Sequence, residues 1–388
     1  MTNFHCLLYF QRMMKTTDSV KIEQKCAEAL RIALAQIPAM KQLDILPAEL
    51  TDPVDLIVQI QVYGKRHTLV VGIKSNGQPR HVRAALLALQ DYARRQPEPV
   101  IPVFIAPYLS TEAQDICQDC QVAYLDLEGN ARLAFGTVFI SRQVASKPTI
   151  ERRELRSLFK PKSAQVLRQL LREPLHPWRV AELAQAAGVS LGLVSNVCSG
   201  LVDREWAARS ENGVFLVDPD ALLDAWGEAY EPPPHHPLGF YTTLHGAEFD
   251  QAVRALHPLP NDAPHAVMAS FSAAQWLAPY GRTGTHYFYT DQQGLEKLRK
   301  SLQLSPSNKG ENVTVRVLDD PGLLLDTVQP APGAFCTSPV QTYLDLLNAG
   351  ERGREAADFL RREKLTWTTQ PRTNPSEPVI TTTAPAQP

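Results

Sequence analysis

The 388-residue sequence contains no apolar run near the ~20 residues that a membrane-crossing helix needs. Its Leu7-Leu8-Tyr9-Phe10 stretch is too short for a secretory core, and no basic segment precedes it. Cysteine is sparse, with six residues scattered at 6, 26, 117, 120, 198 and 336. Without a secretion signal they read as reduced thiols of a cytoplasmic protein. Cys117 and Cys120 form a lone CxxC, and no second pair or His pair at zinc spacing accompanies it. No metal and no other cofactor is therefore assigned. Neither sign of charge is in excess, the formal net charge being −2. Any contact with nucleic acid must then come from a local patch. There is no phosphate-binding glycine loop, and no Ser/His/Asp spacing that carries a mechanism.

What is present is ordinary globular material: 44% apolar and 7% aromatic residues. The length suggests roughly two to three domains. Residues 1–19 read as an extension, with Met1, Met13 and Met14 as alternative starts. A helix is predicted over 20–38, then a hairpin of strands 54–62 and 67–73 around the turn 63–66. A helix over 80–95 follows, then a short strand over 100–106. Its Pro102 points to an edge or an irregularity. A helix over 111–120 and strands over 122–126, 131–135 and 138–141 complete an α/β domain spanning 20–150.

Residues 151–230 read as a winged helix-turn-helix. Val166, Leu167, Leu170 and Leu171 give a first helix its stripe, and Val180, Leu183, Ala184 and Ala187 a second. Gly188-Val189-Ser190 makes the turn, with Ser190 placed to cap a third helix over 191–206. Val194, Val197, Cys198 and Leu201 face inward on that helix, leaving Gly192, Ser195, Asn196 and Ser199 outward. Small polar side chains there let a helix approach base edges in the major groove. Asn212-Gly213 suits a type I′ turn between the two strands of a wing that also carries Arg209. Seven basic residues lead in: Arg152, Arg153, Arg156, Lys160, Lys162, Arg168 and Arg172, against one acid, Glu154. Such a patch neutralises phosphates. The candidate DNA-binding residues are Arg152, Arg153, Arg156, Lys160, Lys162, Ser190, Ser195, Asn196, Ser199, Arg209 and Asn212. Beyond them, residues 231–237 (Glu-Pro-Pro-Pro-His-His-Pro) read as a semi-rigid linker. An α+β domain is expected over 238–365, and 366–388 has the composition of a disordered tail.

Two resemblances follow from these segments. The element order before residue 150, with Val54-Asp55-Leu56 and Val70-Val71-Gly72-Ile73-Lys74, resembles the PD-(D/E)XK restriction-endonuclease-like fold. That resemblance implies Asp55 and Lys74 as relics of a metal-dependent active site. The middle carboxylate is replaced by Gly72, Glu28 is a loose match to a supplementary acid, and Gln90-Asp91-Tyr92 stands where a Q-x-x-x-Y motif would be. An inactive nuclease-like domain is expected, with Mg²⁺ relevant only if the chain were an active nuclease. The segment Cys336-Thr337-Ser338-Pro339-Val340-Gln341-Thr342-Tyr343-Leu344-Asp345-Leu346-Leu347, with Gly350 to Ala357 after it, is similar to AbiEi-type antitoxins of type IV toxin–antitoxin systems. Ala269 to Leu277 carries the same likeness, which extends over about 160–365. In that segment Tyr343, Leu346 and Leu347 are read as core, and Asp345 as the partner of Arg352 or Arg354.

The leading expectation is a DNA-binding transcriptional regulator of antitoxin kind, a multidomain α/β and α+β protein. Its expected partners are double-stranded DNA, a nucleotidyltransferase-like toxin and, on a palindromic operator, a second copy of itself. A metal-dependent nuclease and a protein-docking scaffold are the competing classes.

Overall fold

The computed structural model describes residues 17–367 apart from 39, 50–51, 145–147, 257–263, 282 and 308. Most of the extension and tail expected from composition falls outside those residues. The chain forms two compact units, Met1–Ser163 with Leu191–Ala207, and Ala164–Ser190 with Ala208–Pro388. Each mixes helices and sheet, so the fold is mixed α/β and multidomain. No single described helix is long and apolar enough to cross a membrane.

The first unit is built on helix α1 (Thr17–Ala35), strands β1 (Met40–Pro47), β2 (Leu56–Val62) and β3 (Lys65–Ile73), helix α2 (Pro79–Arg95), strand β4 (Val100–Ala106), helix α3 (Thr111–Asp119), strands β5 (Ala123–Asp126), β6 (Ala131–Phe135) and β7 (Val138–Arg142), and helix α4 (Thr149–Leu158). The seven strands lie in chain order in one sheet. β3, β4 and β5 run parallel, and the flanking pairs are antiparallel. Alternation along β3 sends Leu69, Val71 and Ile73 to one apolar core with Cys26, Leu30 and Leu34 of α1. It sends Val70 to the other, with Leu86 and Leu89 of α2 and Ile116 of α3.

Three local expectations change here. β1 was hidden between Pro38 and Pro47, yet Leu43 and Ile45 pack on the core and Pro47 ends an edge strand, where the missing N–H costs nothing. The hairpin turn is only Tyr63-Gly64, both with positive φ, so β3 begins at Lys65. β4 is a central strand and not an edge. Its ladder with β5 starts at Val103, so Pro102 pairs with Val70 of β3 and lies one residue outside the β5 ladder.

Helix α5 (Pro161–Arg172) enters the second unit at Ala164, followed there by α6 (Val180–Ala187). Helix α7 (Leu191–Asp203) belongs to the first unit. Strands β8 (Ala207–Ser210) and β9 (Gly213–Leu216) form a two-stranded hairpin. The second unit continues with α8 (Pro219–Glu228), β10 (His235–Tyr241), α9 (Gly246–Arg254), β11 (Ala266–Met268), α10 (Ser270–Leu277), β12 (His286–Thr290), α11 (Gln292–Ser301), β13 (Ser305–Pro306), β14 (Val313–Leu318), a 3₁₀ turn over Pro321–Leu325, β15 (Thr327–Ala331), β16 (Ala334–Thr337), α12 (Pro339–Leu347) and α13 (Gly350–Lys364). Its mixed sheet has the order β13-β10-β14-β12-β11-β16-β15.

The expected linker is partly sheet: His235, His236 and Pro237 pair with Leu318, Val317 and Arg316. β13 reaches only Phe240 and Tyr241, so β10 has a free edge over most of its length and accommodates Pro237. The two histidines diverge as adjacent strand residues must. His235 packs edge-on against Tyr289, and His236 pairs with Asp319 at 3.4 Å. The Gly350 to Ala357 stretch that follows the antitoxin-like segment forms the first half of α13.

Candidate nucleic-acid interface

The turn before the third helix follows from its glycine. Gly188 takes φ 63°, ψ 39°, and its N–H donates back to Ala184 and Gln185 carbonyls. On α7, Val194, Val197, Cys198 and Leu201 are buried. Gly192, Ser195, Asn196 and Ser199 are exposed, and a Cβ at Gly192 would meet nothing within 4 Å. The outer face is small, polar and open to close approach.

Helix α4 divides in the same way. Glu151, Leu155 and Leu158 are buried, while Arg152, Arg153 and Arg156 are exposed. Lys160, Lys162, Ser190, Arg209 and Asn212 are exposed as well. The wing differs in detail. Its turn is Glu211-Asn212, neither with positive φ, so it is not the type I′ turn centred on Asn212-Gly213. Gly213 has φ 146° and opens β9, where a Cβ would stand 2.3 Å from the Trp178 carbonyl oxygen. That close backbone approach, not the turn, requires the glycine.

The basic lead-in is smaller than its residue count. Arg168 is only 5% exposed. Its Nη1 donates to Gln341 Oε1 at 3.1 Å, and its Nε lies 3.6 Å from Asp326 Oδ2. Arg172 pairs with the same aspartate. Both hold α5 to the second unit's own interior; Arg168 is withdrawn from phosphate, while Arg172 stays 41% exposed. Arg204, just past α7, is buried too. Its Nη2 donates to Glu151 Oε1 at 3.0 Å and Glu154 Oε2 at 3.2 Å, its Nη1 to the Gly200 carbonyl at 3.2 Å. Its guanidinium lies over the Trp206 ring. Glu154, the one acid of the lead-in, thus shares Arg204 with Glu151. Besides Arg172, five cations of the lead-in are exposed.

The relic nuclease positions do not converge. Asp55 precedes β2, and its Oδ2 accepts the Ile73 N–H at 2.7 Å. Its charge helps to raise the Cys26 thiol of α1, after burial and Glu23. A Cβ at Gly72 would instead meet Leu89 of α2 at 3.8 Å, in the core on the opposite face. Lys74 is exposed beyond β3. Glu28 lies on the solvent side of α1, paired with Arg31. Gln90 donates to the Cys120 carbonyl, and Tyr92 to Asp52. Cys117 is buried on α3, and burial pushes its thiol up to about 12, away from the thiolate a metal would need. Among the described residues, no three of His, Cys, Asp and Glu come together as a metal site.

The antitoxin-like segment acquires a physical explanation. Ser338 caps α12 by accepting the Gln341 N–H, and Pro339 follows where its missing N–H is harmless. Gln341 and Asp345, four residues apart, point the same way. Asp345 Oδ1 accepts from Tyr230 (2.6 Å), Tyr289 (3.0 Å) and Gln341 (3.1 Å). Arg316 donates to Tyr289 Oη at 3.0 Å. Burial raises the Asp345 carboxyl above its ordinary range, with Arg316 acting against that. The expected pairing with Arg352 or Arg354 is therefore corrected, because the neutral tyrosines take that place. Tyr343 is core as expected, and its hydroxyl accepts from Arg361, which also binds Asp220 and Asp224.

This wired interior was missed from the sequence. Its signals were an arginine inside the apolar stripe of α5, and a Gln–Asp pair inside an otherwise apolar α12.

No curated protein and no solved structure matches this chain. Residues 215–366 match the AbiEi_2 family, described as transcriptional regulator, AbiEi antitoxin, type IV toxin–antitoxin system. The match begins inside β9, so α5, α6 and α7 lie outside it. The segment carrying the Asp345 centre, from α8 through α13, is thus similar to the type IV antitoxin regulators.

Proposed function

We propose that this protein is a DNA-binding regulator of type IV antitoxin kind that reads duplex DNA through a winged helix. α7 would enter the major groove with Ser195, Asn196 and Ser199, while the exposed cations of α4 and the start of α5 hold phosphate. Ser190, Arg209 and Asn212 would add contacts at the turn and wing. The observation that carries this is the outer face of α7: exposed, small and polar above a fully apolar inner face. The 215–366 match supports the regulator and antitoxin parts of the reading. A nucleotidyltransferase-like toxin is the proposed protein partner, and a homodimer the proposed DNA-bound form.

The α, three strands, α, β, α, β order supports a restriction-endonuclease-like ancestry for the N-terminal domain. We assign it no cleavage, because position 72 is a glycine facing Leu89 and the Asp55 carboxylate is held by the Ile73 N–H. The test is a gel shift on DNA upstream of the protein's own gene across a salt series. Binding that weakens steeply with salt is expected; salt-independent binding, or none, sinks the reading. Asn196→Ala should relax base preference, whereas Lys160→Ala should weaken all sequences alike.

A further inference from the structure

We propose that Glu151 and Arg204 form a positioning joint that sets α7 for base reading, making the N-terminal α/β domain an obligate part of the DNA reader. The inference rests on the DNA reading proposed above. α7 is the third helix of the helix-turn-helix in sequence, yet it packs in one compact unit with the N-terminal domain. Its C-terminal end is tied there in three ways. Asp203 meets His81 of α2 at 3.3 Å. Glu205 receives Arg83 Nε on both oxygens at 3.0 Å. Arg204 is enclosed by Glu151, Glu154 and the Gly200 carbonyl.

The outer two ties are part-exposed and fix little by themselves. The Arg204–Glu151 pair is different, because its side chains are 7% and 8% exposed. Buried pairs of this geometry fix one arrangement more than they add stability. Glu151 is also shared. Its Oε1 takes Arg204, and its Oε2 takes Gln78 Nε2 at 2.9 Å, at the N-cap of α2. Three helices, α2, α4 and α7, therefore meet on one carboxylate. Gly200 faces α4, a Cβ there standing 3.7 Å from Leu158, in ordinary van der Waals contact. The outward face of α4 carries Arg152, Arg153 and Arg156. One helix would thus anchor phosphate on one side and fix the base-reading helix on the other, which sets the register between the two kinds of contact.

The experiment uses the full chain and a selection from random duplex DNA, comparing wild type with Glu151→Gln, Arg204→Met and Arg204→Lys. Wild type is expected to enrich one motif. Glu151→Gln and Arg204→Met should bind random duplex within about twofold of wild type, yet lose about tenfold or more of the preference for the motif. Arg204→Lys should recover part of it. Melting curves check folding; if Arg204→Met does not fold, Glu151→Gln, which keeps the shape, decides. A folded variant with its full preference overturns the joint alone. A wild type that enriches nothing overturns the joint and the DNA reading together.

Discussion

Arg168 and Arg204 invite comparison, one in each compact unit. Arg168 comes from the stretch whose charge suggested phosphate binding and Arg204 from the end of the base-reading helix, and both are buried against carboxylates. They differ in how completely they are matched. Arg204 has two carboxylates and a helix-end carbonyl, and Glu154 remains 55% exposed, so water reaches the rim of that centre. Arg168 lies in a chain running from the part-exposed Arg172 through Asp326, Arg168 itself, Gln341, Tyr230, Asp345 and Tyr289 to Arg316. Three polar atoms of that chain have no hydrogen-bond partner, Arg168 Nε, Asp326 Oδ2 and Asp345 Oδ2, against one beside Arg204, Trp206 Nε1. Arg168 has one carboxylate, shared with Arg172, and losing it strands a buried charge, so damage there costs stability. Arg204 has two carboxylates, one of them at the surface, so damage there costs orientation more readily than the fold.

The largest expected effect follows from that contrast. Asp326→Ala leaves Arg168 buried without its carboxylate and should cost about 3–5 kcal/mol in urea unfolding. Arg204→Met should cost about 1–3 kcal/mol, since Glu151 keeps Gln78. Equal costs would erase the distinction between the two centres.

Asp345 sharpens the comparison through pH. Its folded carboxyl is raised above the ordinary 3.8, so the folded state holds the proton more tightly than the unfolded chain. Its contribution is then fully present below that value and is lost as pH rises through the raised one. Asp345→Asn should therefore gain on wild type as pH rises from about 4 toward neutrality. A stability difference that does not move with pH would remove burial as the governing cause.

Smaller still is Arg83→Ala, which should shift unfolding by less than about 1 kcal/mol because its pair with Glu205 is exposed. Arg152→Ala should leave stability unchanged and lower the salt slope of DNA binding by about one.

Much of the framework was legible in the sequence. β4 and β6 begin and end where pattern placed them, because each is a short, largely apolar stretch bounded by turn residues. β1 and β10 were not, since prolines mask strands whose one free edge makes the missing N–H irrelevant. At the candidate interface, exposure along α7 followed the helical periodicity expected, while the helix α4 within the basic lead-in was not foreseen. Nor was the fate of individual arginines. Arg156 and Arg168 carry the same charge in neighbouring helices, and only the distant Asp326 and Gln341 decide which one is buried. Contacts 150 residues and more apart in sequence leave no local pattern.

The proline-bearing β10 has a consequence for handling the protein. An unpaired strand at a sheet margin is a template on which another chain can add a strand and start aggregation. Here Pro237 removes one donor from that margin. A Cβ at Gly239 would collide with the Glu311 carboxylate, so an acid covers the same stretch. The segment that looked like a spacer is thus a guarded border, and replacing Pro237 with valine would be expected to make concentrated protein precipitate.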